Sequence, residues 1–176
     1  MNKKVRLTFA ELNALDRGAF TALLGDIFEH SPWVAERAWQ ARPFASVATL
    51  HSAMAQAVRD ASPAEQLALI RAHPELAGRE AAAGTLTDSS TGEQQRLGFT
   101  ALTRAEFERI TAINRAYREK FGFPCIVALK LHADHSSVMD EMQRRVGNDT
   151  PTERQAALEQ IAHIGHGRLS AMFGTD

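Results

Sequence analysis

Helix-start signals punctuate this chain at short intervals, and no other feature restricts its fold as much. Thr8 with Glu11, Ser62 with Glu65, Ser90 with Glu93, Thr103 with Glu106 and Thr150 with Glu153 share the S/T-x-x-E spacing. At that spacing a hydroxyl accepts the third helical amide while the acid reaches back to the cap amide. Pro32, Pro63 and Pro151 follow Ser31, Ser62 and Thr150, at the first helical position, where a missing N–H costs nothing.

Apolar spacing fills in the helices between these starts. It predicts helices over Leu15–Phe28, Ser46–Val58, Ser62–Ala72, Thr103–Phe121, Ser136–Val146 and Thr150–Met172, with another through SPWVAERAW ended by Pro43. Trp33 and Trp39 are expected in the core, and Phe107, Ile110, Asn114, Tyr117 and Phe121 on one stripe. Gly122 supplies a left-handed stop. The run FPCIVALK, Phe123 to Leu129 and onward, is β-branched and apolar but has no strand to pair with anywhere in the sequence. Its backbone N–H and C=O groups must therefore bond side chains, water or a ligand. The expectation is an all-α fold, a single domain over residues 1–176 of about seven to nine helices, with one short extended apolar segment at Phe123–Leu129.

Charge and cysteine content narrow the function. Lys+Arg 20 against Asp+Glu 21 leaves a net charge of -1, which argues against nucleic acid or anionic lipid as a partner. One cysteine, Cys125, excludes an internal disulfide and a cysteine-based zinc site, and fits a reducing compartment such as the cytoplasm. No stretch reaches the roughly 20 apolar residues of a membrane span. The basic N-terminus has no apolar run behind it, and the Gly174-Thr175-Asp176 ending is not a peroxisomal signal.

The chemistry concentrates in HPELAGREAAAGTLTDSSTGEQ, His73 to Gln94. Pro74 biases His73 away from helical backbone and sets it at a helix end. Ser90, Glu93 and Gln94 form a second polar group, and the intervening glycines and turn residues can fold the two groups together. Each residue also has a plain structural role open to it. Ser90 and Glu93 fit a capping box, His73 can serve a helix C-terminus, and Arg168 can be a solvated charge. His132 with His135, and His163 with His166, have metal-compatible i,i+3 spacing but no completing carboxylates, so no metal site is expected. A metallohydrolase, which chelation would silence, and a helical interaction module without turnover are the competing readings.

Taken together, HPELAG, LTDSSTGEQ, INRAYREKFGFP followed by CIVALK, SPWVAERAW, RPF and IGHGRL resemble the 2-oxo-4-hydroxy-4-carboxy-5-ureidoimidazoline (OHCU) decarboxylase family of uric acid degradation over nearly the whole chain. The resemblance implies an all-helical enzyme, often a homodimer, that needs no metal or organic cofactor and converts OHCU to (S)-allantoin and carbon dioxide. It implies that His73 is the catalytic acid with Glu93 acting beside it. Pro74, Ser90, Thr91, Gly92, Glu93, Gln94 and Arg168 are implied substrate contacts. Main-chain groups of Cys125, Ile126, Val127, Ala128 and Leu129 are implied to line the site. Cys125 departs from the phenylalanine usual at its position, which should alter packing rather than chemistry.

Overall fold

The structure, a computed structural model, describes residues 7–174. The expectations drawn from the N-terminal leader region and from Thr175 and Asp176 lie outside the described residues. Among the described residues ten α-helices follow one another, against the about seven to nine expected: α1 Phe9–Ala14, α2 Arg17–Leu24, α3 Trp33–Ala38, α4 Val47–Arg59, α5 Pro63–Ala72, α6 Arg79–Ala83, α7 Asp88–Arg96, α8 Arg104–Phe121, α9 His135–Arg145 and α10 Thr150–Phe173. No β-strand occurs among the described residues, so the all-α expectation holds. The helices divide into two compact units, one running to Gln66 and resuming at Ala162, the other Leu67–Ile161.

In the first unit, α1 starts with the expected Thr8–Glu11 capping box, and Ser62 and Glu65 exchange the same bonds ahead of α5. The predicted Leu15–Phe28 helix is shorter. Asp16 takes the Ala19 amide at 2.8 Å and starts α2 at Arg17, while Gly25 ends it, so Ile27 and Phe28 reach the core from an irregular turn. Leu12, Phe20, Leu24, Val34, Leu50, Met54 and Leu169 are buried around them. Trp33 and Trp39 are only half-buried, which corrects their assignment to the core. Their indole faces carry the Arg37 and Arg42 guanidinium groups at 4.6 and 3.8 Å, a cation–π arrangement that keeps one face near water. Val34, Ala35 and Ala38 supply the buried face of α3 instead.

In the second unit, α8 has its Thr103–Glu106 capping box and ends where predicted, at Gly122 with φ 73° and its N–H on the Arg118 carbonyl. Ile110, Ile113, Tyr117 and Phe121 pack inward, but Phe107 is 52% exposed, off the buried face. Tyr117, Phe121 and Phe123 form an aromatic cluster, and Val138, Met139, Met142 and Ala157 are buried in the same unit. The Thr150–Glu153 cap does not form. Asp149 caps α10 by taking the Thr152 amide at 2.8 Å, and Glu153 is fully buried. Segment 123–128 is extended and buried without a ladder partner, as its sequence predicts, and passes into a 3-10 turn at Leu129–Leu131.

Candidate active site

His73 follows the last residue of α5 at a bend in the chain, directly before Pro74, and is 6% exposed. Its ring Nδ1 lies 2.9 Å from the Leu69 carbonyl. A carbonyl only accepts, so Nδ1 carries the hydrogen, and in the neutral ring Nε2 is the basic nitrogen. The helix-end role read from the sequence thus exists, and it also fixes the tautomer.

The chain then turns sharply. Ala77 has φ 49°, a left-handed backbone that a non-glycine residue holds at some cost, and the Gly78 amide returns to the Glu75 carbonyl at 3.2 Å. Two helices fasten this turn. Gln94 of α7 accepts the Ala77 N–H at 3.0 Å, and Asn114 of α8 donates to the Leu76 carbonyl at 2.9 Å. Arg118 pairs with Glu75 at 3.2 Å, while burial pushes the Glu75 carboxyl above its ordinary range.

Ser90 and Glu93 lie inside α7, not at its start. Thr87 is the N-cap, accepting the Ser90 amide, so the capping-box reading of Ser90 and Glu93 is overturned. Thr87 sits three residues nearer the preceding turn, and a helix has only one first turn to cap. Ser90, Glu93 and Gln94, at i, i+3 and i+4, share one face, with Ser90 and Gln94 buried and Glu93 half-buried. Thr91 is half-buried and Gly92 exposed on the flank. Glu93 acts electrostatically on Lys130, whose amine burial pulls below its ordinary value while the Glu93 charge opposes that shift. One turn on, Arg96 donates to the Leu129 carbonyl at 2.7 Å.

Helix α7 therefore holds the turn after His73 through Gln94 and the end of the apolar segment through Arg96. In that segment Cys125, Ile126, Val127, Ala128 and Leu129 are buried. The Ile126 carbonyl accepts from Arg145 and the Ala128 N–H donates to Gln160 Oε1 at 2.8 Å. Among the described residues nothing bonds the N–H or C=O of Val127. Burial pushes the Cys125 thiol up to about 12, which keeps it protonated and poorly nucleophilic.

Arg168 belongs to the other unit, where Nη1 donates to Glu29 Oε2 at 2.7 Å, both residues buried, rather than lying on a solvated helix face. The histidine pairs have other engagements. His132 Nδ1 meets Ser137 Oγ at 3.2 Å, His135 contacts Leu97 and Glu106, and His166 packs edge-on to His51 with centroids 5.2 Å apart. Among the described residues no cluster of three or more His, Cys, Asp or Glu side chains suits a metal ion. Lys130, Gln160 and Arg145 escaped the sequence reading. Lys130 directly follows the partnerless segment, and that adjacency was its only signal.

The model of the OHCU decarboxylase family matches residues 13–170. The chain belongs to that family. Relatives named 2-oxo-4-hydroxy-4-carboxy-5-ureidoimidazoline decarboxylase include one from Haloferax volcanii, 42% identical over 97% of this chain and 98% of its own. A mouse relative of the same name is 33% identical over 96% and 94%. Among solved structures, an (S)-allantoin synthase is similar with TM-score 0.75 and 29% identity over 95% of this chain, which spans about half of that longer protein (54%). An OHCU decarboxylase crystallised in the presence of (S)-allantoin shares the fold at TM-score 0.64 and 16% identity, over 80% of this chain and 90% of its own. The family is one of carboxy-lyases in urate degradation.

Proposed function

We propose that this protein decarboxylates OHCU to (S)-allantoin, with His73 delivering the proton that sets the product's handedness. In OHCU the carboxylate sits on a hydroxyl-bearing ring carbon beside a C=N carbon that carries the ureido arm. When the carbon–carboxylate bond breaks, its electron pair forms the C=C bond of an enol and the C=N pair moves onto the imine nitrogen, which takes a proton from water. The enol hydroxyl gives up its proton and the ureido-bearing carbon takes one on a single face. An imidazole is suited to this because its pKa lies near working pH.

The observation that carries the reading is the tautomer lock: Nδ1 of His73 is held by Leu69, so proton transfer falls to Nε2. Glu93 accepts the enol proton or steadies the charged imidazole. Pro74 and the Ser90–Gln94 face hold the ureido arm, and the main chain at Cys125–Leu129 meets the ring edges. Arg168 enters as a carboxylate donor by its motif alone, an arginine being able to offer paired donors to a planar acid. The enzyme needs no cofactor for this chemistry and works as a cytoplasmic homodimer, whose association state sedimentation would measure.

The test follows optical rotation and carbon dioxide release from freshly generated OHCU. The parent enzyme yields (S)-allantoin. A folded His73→Asn variant loses on the order of 10²–10⁴ in rate and releases racemic allantoin; parent rate and handedness in that variant would refute the assignment.

A further inference from the structure

A buried ionic group lies behind the apolar segment. Arg145 is 1% exposed and Glu153 0%. Arg145 donates through Nε to Glu153 Oε1 at 2.7 Å, with Nη2 against the same carboxylate, and through Nη1 to the Ile126 carbonyl. The Tyr117 hydroxyl donates to Glu153 Oε1, and Asn148 Nδ2 to Oε2 at 2.8 Å. Burial raises the Tyr117 phenol above its ordinary value, so it stays a donor.

Such a pair is a poor way to gain stability, because desolvating two charges commonly offsets their attraction, and apolar residues of similar volume often do as well. What apolar residues cannot do is orient a peptide. Segment 123–128 has no ladder to set its peptide planes, so each plane is fixed by whatever side chain grips it. The carbonyl of Ile126 and the N–H of Val127 belong to one planar trans peptide and point in opposite directions. Pulling the carbonyl toward Arg145 turns the Val127 N–H the other way, and among the described residues no group receives it. The next amide, of Ala128, is already taken by Gln160.

We propose that Arg145, held in place by Glu153, Tyr117 and Asn148, is a positioning residue that aims the Val127 N–H at a carbonyl or carboxylate oxygen of the bound ureide. Arg145 itself touches no substrate. The pairing of Nε and Nη2 with one carboxylate leaves Nη1 directed along the guanidinium plane at Ile126, a fork that lysine cannot reproduce. This inference rests on the reading of Cys125–Leu129 as a substrate wall.

Two variants and one spectroscopic reading test it on the full-length enzyme. In the parent, adding (S)-allantoin shifts the Val127 amide resonance; an unmoved resonance would overturn both the wall and the positioning claim. Arg145→Lys raises KM for OHCU about tenfold, the usual worth of one misdirected hydrogen bond, with kcat within about twofold and the Val127 response to (S)-allantoin lost. Tyr117→Phe keeps the ion pair, so it stays folded where Arg145→Lys fails to, and raises KM by about threefold. If the parent amide responds but the folded variants lose only thermal stability, with KM and the Val127 shift unchanged, the wall stands and the positioning role falls.

Discussion

The side-chain oxygen of Gln94 accepts the backbone N–H of Ala77 at 3.0 Å, across seventeen positions of sequence. This bond joins the helix bearing Ser90 and Glu93 to the turn that leaves His73, and Asn114 grips the other side of the same peptide group, at the Leu76 carbonyl. The His73 ring is thus placed by three carbonyl or amide bonds, none of which involves a charged group.

Replacing Gln94 isolates the first of these bonds. Gln94→Met keeps the volume and leaves the Ala77 amide without its acceptor, a loss of about 1–3 kcal/mol. The midpoint of thermal unfolding should fall by roughly 3–10 °C for a chain of this size. Because the turn loses its register, kcat/KM at a temperature where the variant is fully folded should drop by more than about tenfold. An unchanged kcat/KM in the folded variant would show that the bond serves the fold alone.

Glu93 can now be tested cleanly. Since Thr87 rather than Ser90 caps α7, Glu93 has no part in closing the helix start, and Glu93→Gln should change stability by no more than about 0.5 kcal/mol. The OHCU turnover rate should nevertheless fall by about 10²-fold or more, the usual loss for a group that moves a proton. Parallel denaturant melts and stopped-flow assays with fresh substrate make the comparison; a destabilised variant of normal rate would reverse it.

These two cases show which features are legible in the chain itself. Thr8, Ser62 and Thr103 declared their helices because both halves of a capping box lie three residues apart on the chain. The same spacing misled at Ser90 and Thr150, where Thr87 and Asp149 lie better placed and take the cap. Trp33 and Trp39 looked like core because an apolar tally ignores the arginines that cover them. The partnerless character of Phe123–Leu129 was readable, as a strand with no mate in the sequence. Its actual partners, Arg145 and Gln160, were not, since Arg145 to Ile126 and Gln160 to Ala128 span 19 and 32 residues and such contacts leave no periodic trace.

Gly78 explains why HPELAG ends in glycine. A methyl group there would sit 2.6 Å from the Glu75 Cβ and 3.1 Å from its carbonyl oxygen, so the turn must open before any side chain fits. Gly78→Ala should cost about 1–3 kcal/mol and displace the Glu75–Ala77 backbone that Gln94 and Asn114 hold. The check is a pair of measurements, urea unfolding and kcat/KM, and both should worsen. A variant as stable as the parent would mean the turn is softer than its contacts imply.

Stability depends on pH through His135. His135, the first residue of α9, presents Nδ1 to the Leu97 carbonyl at 3.1 Å and Nε2 to Glu106 Oε1 at 2.9 Å. Both partners are acceptors, which favours the doubly protonated ring, and the pair of bonds ties the end of α7 to the start of α8. The bond to Glu106 is the main cause raising the His135 pKa above its ordinary 6.5. The same bond, followed by the Thr103 cap, draws the Glu106 carboxyl down to about 2 from 4.5. A raised histidine contributes stability that is complete below 6.5 and disappears as pH climbs through its folded value. A depressed carboxylate contributes above 4.5 and loses that contribution as pH falls toward 2. Both contributions are complete only between those limits, so the urea midpoint of the parent should exceed that of His135→Gln most at about pH 5.5, with the gap narrowing steadily as pH rises past 6.5. A gap that is constant over that range would mean the ring is neutral in the folded protein and that one of its two hydrogen bonds is not made.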